Sequence, residues 1–175
     1  MPRDLPIGNG QVLIAFDKDT LLRELYYPHV GEENHSQGEP FRFGVWSENS
    51  LSWIPEGWEI ERNYLENSLV TEVKLTHREL KLSLIVNDFV DVTENIYLKK
   101  ITLKNLSEDA REIQLFLSQN FSIYGNDIGD TAAFQPENKS LVHYKKDRYF
   151  LINVEANHKF GLDFFATGNK DKNTS

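Results

Sequence analysis

Apolar and polar residues alternate with a period of two along most of this chain. The alternation is clearest in residues 69–75 and 80–86, which are separated by a short polar stretch of hairpin-turn length, and it runs longest through residues 111–124. Because successive side chains of a β-strand point to opposite faces, this spacing predicts strands with one buried face. Turn-forming residues recur roughly every eight to twelve positions, and a sustained helical period is almost absent. The pattern therefore predicts an all-β fold, a large antiparallel β-sandwich (super-β-sandwich) with little or no helix.

The segment 21–25 fits two structures. Its leucines are spaced as in one helical turn capped by Asp19 or Thr20, yet its distance from the preceding apolar run also suits the second strand of a hairpin, which we favour. The other short runs read as strands bounded by turns. They are residues 11–16, 41–46, 51–54, 58–60, 96–104, 131–134, 140–145, 149–155 and 160–166.

The run 96–104 changes face in its middle. Ile96 and Leu98 follow one alternation, whereas the apolar residues after Lys100 follow the other. One extra residue in a strand reverses which side chains face the core. The sequence therefore predicts a β-bulge near Lys99 and Lys100.

Residues 25–35 interrupt the alternation with a polar and aromatic stretch that has no period, and we expect an exposed loop. The chemistry-bearing residues in it are Tyr26, Tyr27, Pro28, His29, Asn34 and His35. Two histidines beside glutamates could transfer protons, but hydrogen-bonded loop histidines are the interpretation that we favour.

Three tryptophans, Trp46, Trp53 and Trp58, lie within thirteen residues. Exposed indoles on a β-domain can stack on sugar rings. Tryptophan at strand spacing more often packs in a core or an interface. Both interpretations stay open from the sequence, with packing favoured.

Composition excludes several classes of function. The 175 residues suit one domain, and the absence of cysteine excludes disulfides and thiolate metal sites. A net charge of −8 argues against a nucleic-acid partner, which needs a clustered basic face. No apolar run reaches the roughly 18 residues of a membrane span, so no membrane partner is expected. The first six residues contain two prolines and an aspartate where a secretory signal needs an apolar run, so we expect a cytoplasmic protein.

Acidic residues offer two candidate chemistries. Asp88 and Asp91 could form the carboxylate pair of a glycosidase. Close acidic pairs are common by chance among 27 acidic residues, however, and we favour the interpretation that both aspartates are solvated residues at the end of a strand. The acidic loop 125–130 lacks the spacing of a calcium-binding loop. We therefore expect no metal and no cofactor.

Several motifs, taken in order, resemble the N-terminal domain of bacterial and archaeal glucoamylase-type enzymes, glycoside hydrolase family fifteen. They cover nearly the whole chain from Gly8 to Gly168. They are Gly8-Asn9-Gly10, Leu13-Ile14-Ala15-Phe16-Asp17, Tyr26-Tyr27-Pro28, Gly31, Glu33-Asn34-His35, Asn87-Asp88, Val90-Asp91, Gly129-Asp130-Thr131-Ala132, His143-Tyr144-Lys145 and Arg148-Tyr149-Phe150.

The resemblance implies a β-sandwich joined by a linker to an (α/α)6 catalytic barrel, which carries both catalytic glutamates of an inverting enzyme. Accordingly, residues 1–168 are interpreted as the sandwich domain and 169–175, which contain no apolar residue, as the start of the linker. No catalytic residue is assigned to this chain, which we expect to be inactive alone. The parent enzyme would be of the glucoamylase, glucodextranase or trehalase type, and its substrate stays open.

Three hypotheses for function follow. The first is a non-catalytic domain that packs on and stabilises its catalytic barrel, with the loop 25–35 as the contact surface, since exposed tyrosines suit interfaces. The second is a carbohydrate-binding module that stacks α-glucan on the three tryptophans. The third is an independent hydrolase that uses Asp88 and Asp91.

Overall fold

The computed structural model describes residues 5–37, 40–126 and 128–168, and the described chain is built of antiparallel β-sheets. The all-β prediction is confirmed. The described residues contain no α-helix, and therefore none that could span a membrane. The predicted linker 169–175 lies outside the described residues, so the domain boundary at residue 168 stays a prediction. The chain divides into two compact units between Gly125 and Asn126, and each unit is described by itself.

The first unit contains ten strands in three antiparallel sheets. The sheets have the orders β1-β2-β3, β10-β4-β5 and β6-β7-β8-β9. The strands are β1 (Leu5–Gly8), β2 (Leu13–Phe16), β3 (Leu22–Tyr26), β4 (Arg42–Ser47), β5 (Ser50–Trp53), β6 (Glu59–Tyr64), β7 (Thr71–His77), β8 (Leu82–Val90), β9 (Tyr97–Asn105) and β10 (Ile113–Ser118).

The core of this unit lies between the four-stranded sheet and the two smaller sheets. One face of β7 and β8 is buried, as the alternation predicted, and Phe16 and Phe43 from the opposite layer line the same small cavity as Val73 and Val86. Each such side chain contributes about 1.5 to 3 kcal/mol when buried. The most buried apolar residues are Leu5, Ile7, Ile14, Phe16, Leu22, Phe43, Val45, Ile54, Val73, Leu75, Leu82, Leu84, Val86 and Ile123. The arrangement is a β-sandwich.

The ambiguous segment 21–25 is a strand, as favoured. β3 pairs with β2 in a hairpin whose register shifts between Ala15 and Phe16. The expected bulge at Lys99 and Lys100 is wrong, because β9 pairs with β8 in one continuous register from Tyr97 to Asn105. Tyr97 and Lys99 occupy inward positions in place of apolar residues, and this produces the apparent change of face in the sequence.

The alternating segment 111–124 is also shorter than predicted. β10 ends at Ser118, and the chain continues through a loop into the short 3-10 turn Ile123–Gly125. Phe121 and Ile123 are nevertheless buried, at 7% and 0% exposure. Their burial explains why the apolar spacing continued past the end of the strand.

The second unit contains a three-stranded antiparallel sheet, β11-β12-β13, and a two-stranded hairpin, β14-β15. The strands are β11 (Thr131–Gln135), β12 (Ser140–Lys145), β13 (Arg148–Ile152), β14 (Glu155–Ala156) and β15 (Lys159–Phe160). The predicted strand at 160–166 is wrong beyond Phe160, since residues 161–166 have no strand partner among the described residues. No apolar side chain in the described part of this unit is buried, and only Ser140 and Lys145 are.

Candidate functional site

The loop between β3 and Phe41 is held by backbone hydrogen bonds at its base. The N–H of His35 donates to the carbonyl of Leu25 at 2.7 Å, and the N–H of Tyr27 donates to that of Glu33 at 3.3 Å. At the tip, the N–H groups of Glu32 and Glu33 both donate to the carbonyl of His29, at 3.1 and 3.2 Å. The tip is therefore a compact turn at the end of a fixed base.

Asn34 fixes the return of the loop. Its Oδ1 accepts hydrogen bonds from the N–H groups of Leu25 and Ser36, at 3.3 and 3.1 Å, and from the Ser36 hydroxyl at 2.9 Å. An asparagine that bonds nearby backbone in this way stabilises a turn without regular structure. The side chain of Asn34 therefore serves the loop itself.

His35 is completely buried. Its Nδ1 accepts a hydrogen bond from the N–H of Tyr124 at 3.2 Å, so the ring hydrogen lies on Nε2, which donates to the carbonyl of Tyr27 at 2.6 Å. The N–H of Ser122 donates to the carbonyl of His35 at 2.7 Å. The histidine thus joins the loop to the segment around the 3-10 turn, as a hydrogen-bonded neutral imidazole.

The six interface candidates differ in exposure. His29 is exposed, whereas Tyr26, Tyr27, Pro28 and Asn34 are half-buried and His35 is buried. Val30, which the sequence did not single out, is 43% exposed beside His29 at the tip. A surface that a partner could contact is therefore formed by the tip and the tyrosines, while His35 positions it from inside.

The three tryptophans also differ. Trp58 is 7% exposed, its Nε1 donates to the Ser52 hydroxyl at 2.9 Å, and its ring meets that of His77 edge to face. Trp58 is therefore a core residue and cannot stack on a sugar in this structure. The exposed-tryptophan hypothesis retains only Trp46 and Trp53, which are half-buried.

Trp46 and Trp53 lie on the outer face of the sheet β10-β4-β5. Trp53 is paired across the strands with Gly44, and the Arg42 guanidinium lies over its ring, 4.6 Å from the centroid. A protein cation thus already stacks on the Trp53 indole. Trp46 is paired with the 45% exposed Leu51 on one side and with Gln114 on the other, so its surroundings on this face are partly apolar.

A buried polar network, which sequence reasoning did not identify, surrounds Asp88. This carboxylate is 2% exposed, and its Oδ1 lies 2.7 Å from Lys99 Nζ and accepts a hydrogen bond from the Tyr97 hydroxyl at 2.5 Å. Its Oδ2 accepts one from the Thr71 hydroxyl at 3.3 Å. Burial raises the pKa of Tyr97 well above its usual value, and the negative charge of Asp88 raises it further.

The network occupies the inside of the sandwich. Lys99 Nζ also lies 5.3 and 5.2 Å from the ring centroids of Phe16 and Phe43. The cavity that these residues line with Asp88 is too small to admit a water molecule. Asp88 therefore has no access to a substrate.

Asp91, by contrast, is only half-buried and closes the turn between β8 and β9. Its Oδ1 accepts hydrogen bonds from the N–H groups of Thr93 and Glu94, both at 2.9 Å, and these bonds lower the pKa of Asp91. One carboxylate is inside the core and the other belongs to a turn. This geometry contradicts the hypothesis that Asp88 and Asp91 form a glycosidase acid–base pair.

The second unit contains a polar cluster of its own. Lys145 Nζ lies 3.2 Å from Asp130 Oδ1 and donates to the backbone and side-chain oxygens of Asn126 at 2.8 and 2.7 Å. Burial lowers the pKa of His143, and the charge of Asp130 opposes this effect. Within the described ranges, no three histidine, aspartate or glutamate side chains are grouped so that they could hold a metal ion.

Comparison with known proteins finds one similar sequence and one similar fold. No protein-family model matches the chain. The chain is 26% identical, over 169 residues, to an uncharacterized glycosyl hydrolase of Methanocaldococcus jannaschii, a match that covers 97% of this chain and 26% of that protein. A crystal structure of a bacterial glucoamylase complexed with acarbose superposes with a TM-score of 0.66 at 16% identity, covering 81% of this chain and 21% of the other. The chain thus spans about a quarter and about a fifth of the lengths of these two proteins.

Proposed function

We propose that this glucoamylase-like β-sandwich domain is the non-catalytic N-terminal domain of a longer glycoside hydrolase. In this proposal the complete polypeptide hydrolyses α-glucosidic bonds in a polysaccharide or oligosaccharide, with inversion, on a separate (α/α)6 catalytic domain. The domain described here packs on that barrel and stabilises it. Its partner is therefore another part of the same polypeptide.

The observation that carries the proposal is the extent of the two matches. Almost the whole chain aligns with a glycosyl hydrolase and most of it superposes on a glucoamylase, yet it accounts for only 26% of the first and 21% of the second. A hydrolase whose remaining length is roughly three times that of this chain has ample sequence for a catalytic domain. The buried position of Asp88 adds support, because it removes the one carboxylate pair that the sequence offered for catalysis.

The loop tip is the surface that we assign to the contact. Its base is fixed by hydrogen bonds and by the buried His35, so the exposed His29 and Val30 are presented without a large entropy cost on binding. The half-buried Tyr26 and Tyr27 add aromatic area, which is enriched at interfaces. A pre-formed, partly apolar projection of this kind suits docking against another domain.

Charged substitutions at the tip test this proposal. We expect Val30→Asp and His29→Asp to lower the thermal transition of the catalytic domain in the complete polypeptide by several degrees, since a central contact is worth about 1 to 2 kcal/mol. The transition of the 175-residue chain should change by less than about 1 °C, because both side chains are exposed. Differential scanning calorimetry measures both.

His158→Asp is the matched control. His158 is fully exposed, so the same change of charge is made at the surface of the second unit. We expect no effect in either protein. If the tip variants leave the complete polypeptide as stable as the control does, the loop is not the docking surface.

A second candidate function is favoured by one observation. Half-buried Trp46 lies between Leu51 and Gln114 on the outer face of its sheet, a partly apolar surface on which a glucan ring could stack. Titration of maltooligosaccharide while tryptophan fluorescence is followed tests it, with Trp46→Ala as the variant. Binding that disappears in Trp46→Ala would favour a carbohydrate-binding module, whereas unchanged fluorescence at millimolar sugar would exclude it.

A further inference from the structure

Strand β10 has an edge position but the sequence of an interior strand. Its six residues, Ile113-Gln114-Leu115-Phe116-Leu117-Ser118, include no charge and no proline, and it is the outermost strand of the sheet β10-β4-β5. Edge strands of natural sheets usually carry charges or proline that prevent further pairing. Both edge strands of the four-stranded sheet follow that rule, since β6 contains two glutamates and an arginine and β9 contains three lysines. The other edge of the sheet that contains β10 is β5, which has neither charge nor proline but is only four residues long.

The side chains of β10 are uncovered on both of its faces. Leu115 and Leu117 are 41% and 44% exposed, although their cross-strand partners Val45 and Phe43 are almost completely buried. The core-facing side of the sheet thus continues onto β10, but the layer that covers β4 does not reach it. On the other face, Phe116 is 40% exposed.

One edge of the β10 backbone also has no paired strand among the described residues. Its hydrogen-bonding groups pair with β4 on one side, and no strand among the described residues pairs with its other side. Alternate residues of an edge strand direct their N–H and C=O groups outward, which leaves a template for one more strand. Strands that are apolar on both faces are those that lie inside sheets covered on both sides.

We propose that β10 is an interior strand in the complete protein, where a further β-strand pairs with its open edge and brings apolar side chains over Leu115, Leu117 and Phe116. The occupant is a segment of the same polypeptide outside residues 1–175. Such a segment is available in the two matched proteins, of which this chain spans about a quarter and a fifth.

A second copy of this chain is the competing occupant. Antiparallel self-pairing of β10 would also satisfy its backbone, but two chains that each carry a net charge of −8 repel one another. Linkage in one polypeptide avoids the entropy cost of bringing two molecules together. The segment from the same chain is therefore the better occupant.

The inference shares with the proposed function only the premise of a longer polypeptide. It does not require that polypeptide to hydrolyse glycosides, and it concerns β10 rather than the loop tip. Hydrogen exchange in β10 can therefore contradict this inference without affecting the proposed function, and an activity assay can contradict the proposed function without affecting this inference.

Hydrogen exchange measured by mass spectrometry, on the complete polypeptide and on the 175-residue chain, tests the inference. We expect the outward amides of β10 to exchange about 100-fold or more slowly in the complete polypeptide, because an added strand makes their opening a cooperative event. The amides of the charged edge strand β6 should exchange at the same rate in the two proteins. Equal exchange of β10 in the two proteins, or a reading frame that ends at Ser175, would overturn the proposal.

A substitution with a matched control gives a second test. Leu115→Lys should be tolerated in the 175-residue chain, where the side chain is 41% exposed, but should lower the unfolding midpoint of the complete polypeptide markedly. Ile85→Lys is the control, since Ile85 is 38% exposed on the outward face of β8. If analytical ultracentrifugation shows that the 175-residue chain is a dimer that Leu115→Lys dissociates, the occupant is a second copy and the proposal is wrong.

Discussion

The ion pair between Asp88 and Lys99 joins β8 to β9 inside the core, and Asp88→Asn tests its contribution. Asparagine has nearly the same shape and retains an oxygen that can accept from Tyr97. What it removes is the charge opposite Lys99, whose side chain is only 17% exposed. A buried ammonium that has lost its carboxylate is poorly compensated by solvent.

The expected loss follows from that burial. Removing one partner of a buried ion pair costs about 3 to 5 kcal/mol, and the retained oxygen places this substitution near 3 kcal/mol. With the urea dependence usual for a domain of this size, the midpoint should fall by roughly 1 to 2 M. All three tryptophans lie in the first unit, so their fluorescence during urea unfolding reports on the unit that contains the pair.

Two further variants make the measurement specific. Glu72→Gln removes the half-buried partner of Lys74, whose side chain is 50% exposed, and should cost less than about 1 kcal/mol. Lys99→Met combined with Asp88→Asn should cost at least about 1 kcal/mol less than the sum of the single changes, because no unpaired charge remains. If Asp88→Asn costs no more than Glu72→Gln, the pair does not stabilise the fold and our reasoning about the network is refuted.

Three other predictions concern single groups. Because the pKa of Tyr97 is raised in the folded state, its contribution to stability is complete below about pH 10 and is lost as the pH rises further, so Tyr97→Phe should flatten the alkaline dependence of the unfolding midpoint. A side-chain carbon added at Gly44 would lie 2.8 Å from the Trp53 ring, so Gly44→Ala should cost about 1 to 3 kcal/mol in urea unfolding, and a smaller loss would show that the ring moves freely. Burial lowers the pKa of His143, so its NMR titration midpoint should lie below about 6.5, and the stability it contributes above that pH should be lost as the pH falls.

The strands could be predicted from the sequence wherever one face was apolar. Residues 69–75 and 80–86 are the clearest cases, and they became β7 and β8 in the expected hairpin. The prediction of a strand after Phe160 was wrong, because the apolar spacing there resembles that of a strand but no strand pairs with residues 161–166 in the described chain. Pairing partners are not visible in a local pattern.

Lys99 shows why the polar core could not be predicted. A lysine inside a sandwich contradicts the alternation, and only the register of β9 against β8 brings it to Asp88. A bulge was the simpler explanation from the sequence, since the pattern contains no information about which residues face one another across strands. The change of face at this position was, in retrospect, the signal of an inward-facing charge pair.

The candidate site was predicted only in outline. The loop 25–35 could be located because it interrupts the alternation, but His35 looks like an exposed polar residue until Tyr124, 89 positions away, covers it. Trp46 and Trp58 are the same residue type in two segments that both read as strands, yet only Trp58 has its indole inside the core. Burial of this kind depends on which sheet lies above a residue, which the sequence does not specify locally.

The central claim, that this chain is a non-catalytic domain of a glycoside hydrolase, is tested most directly by glucose release from maltooligosaccharides. The assay compares equal molar amounts of the 175-residue chain and of the complete polypeptide. We predict that the complete polypeptide releases glucose and that the 175-residue chain releases none. Glucose release by the 175-residue chain alone would contradict the claim.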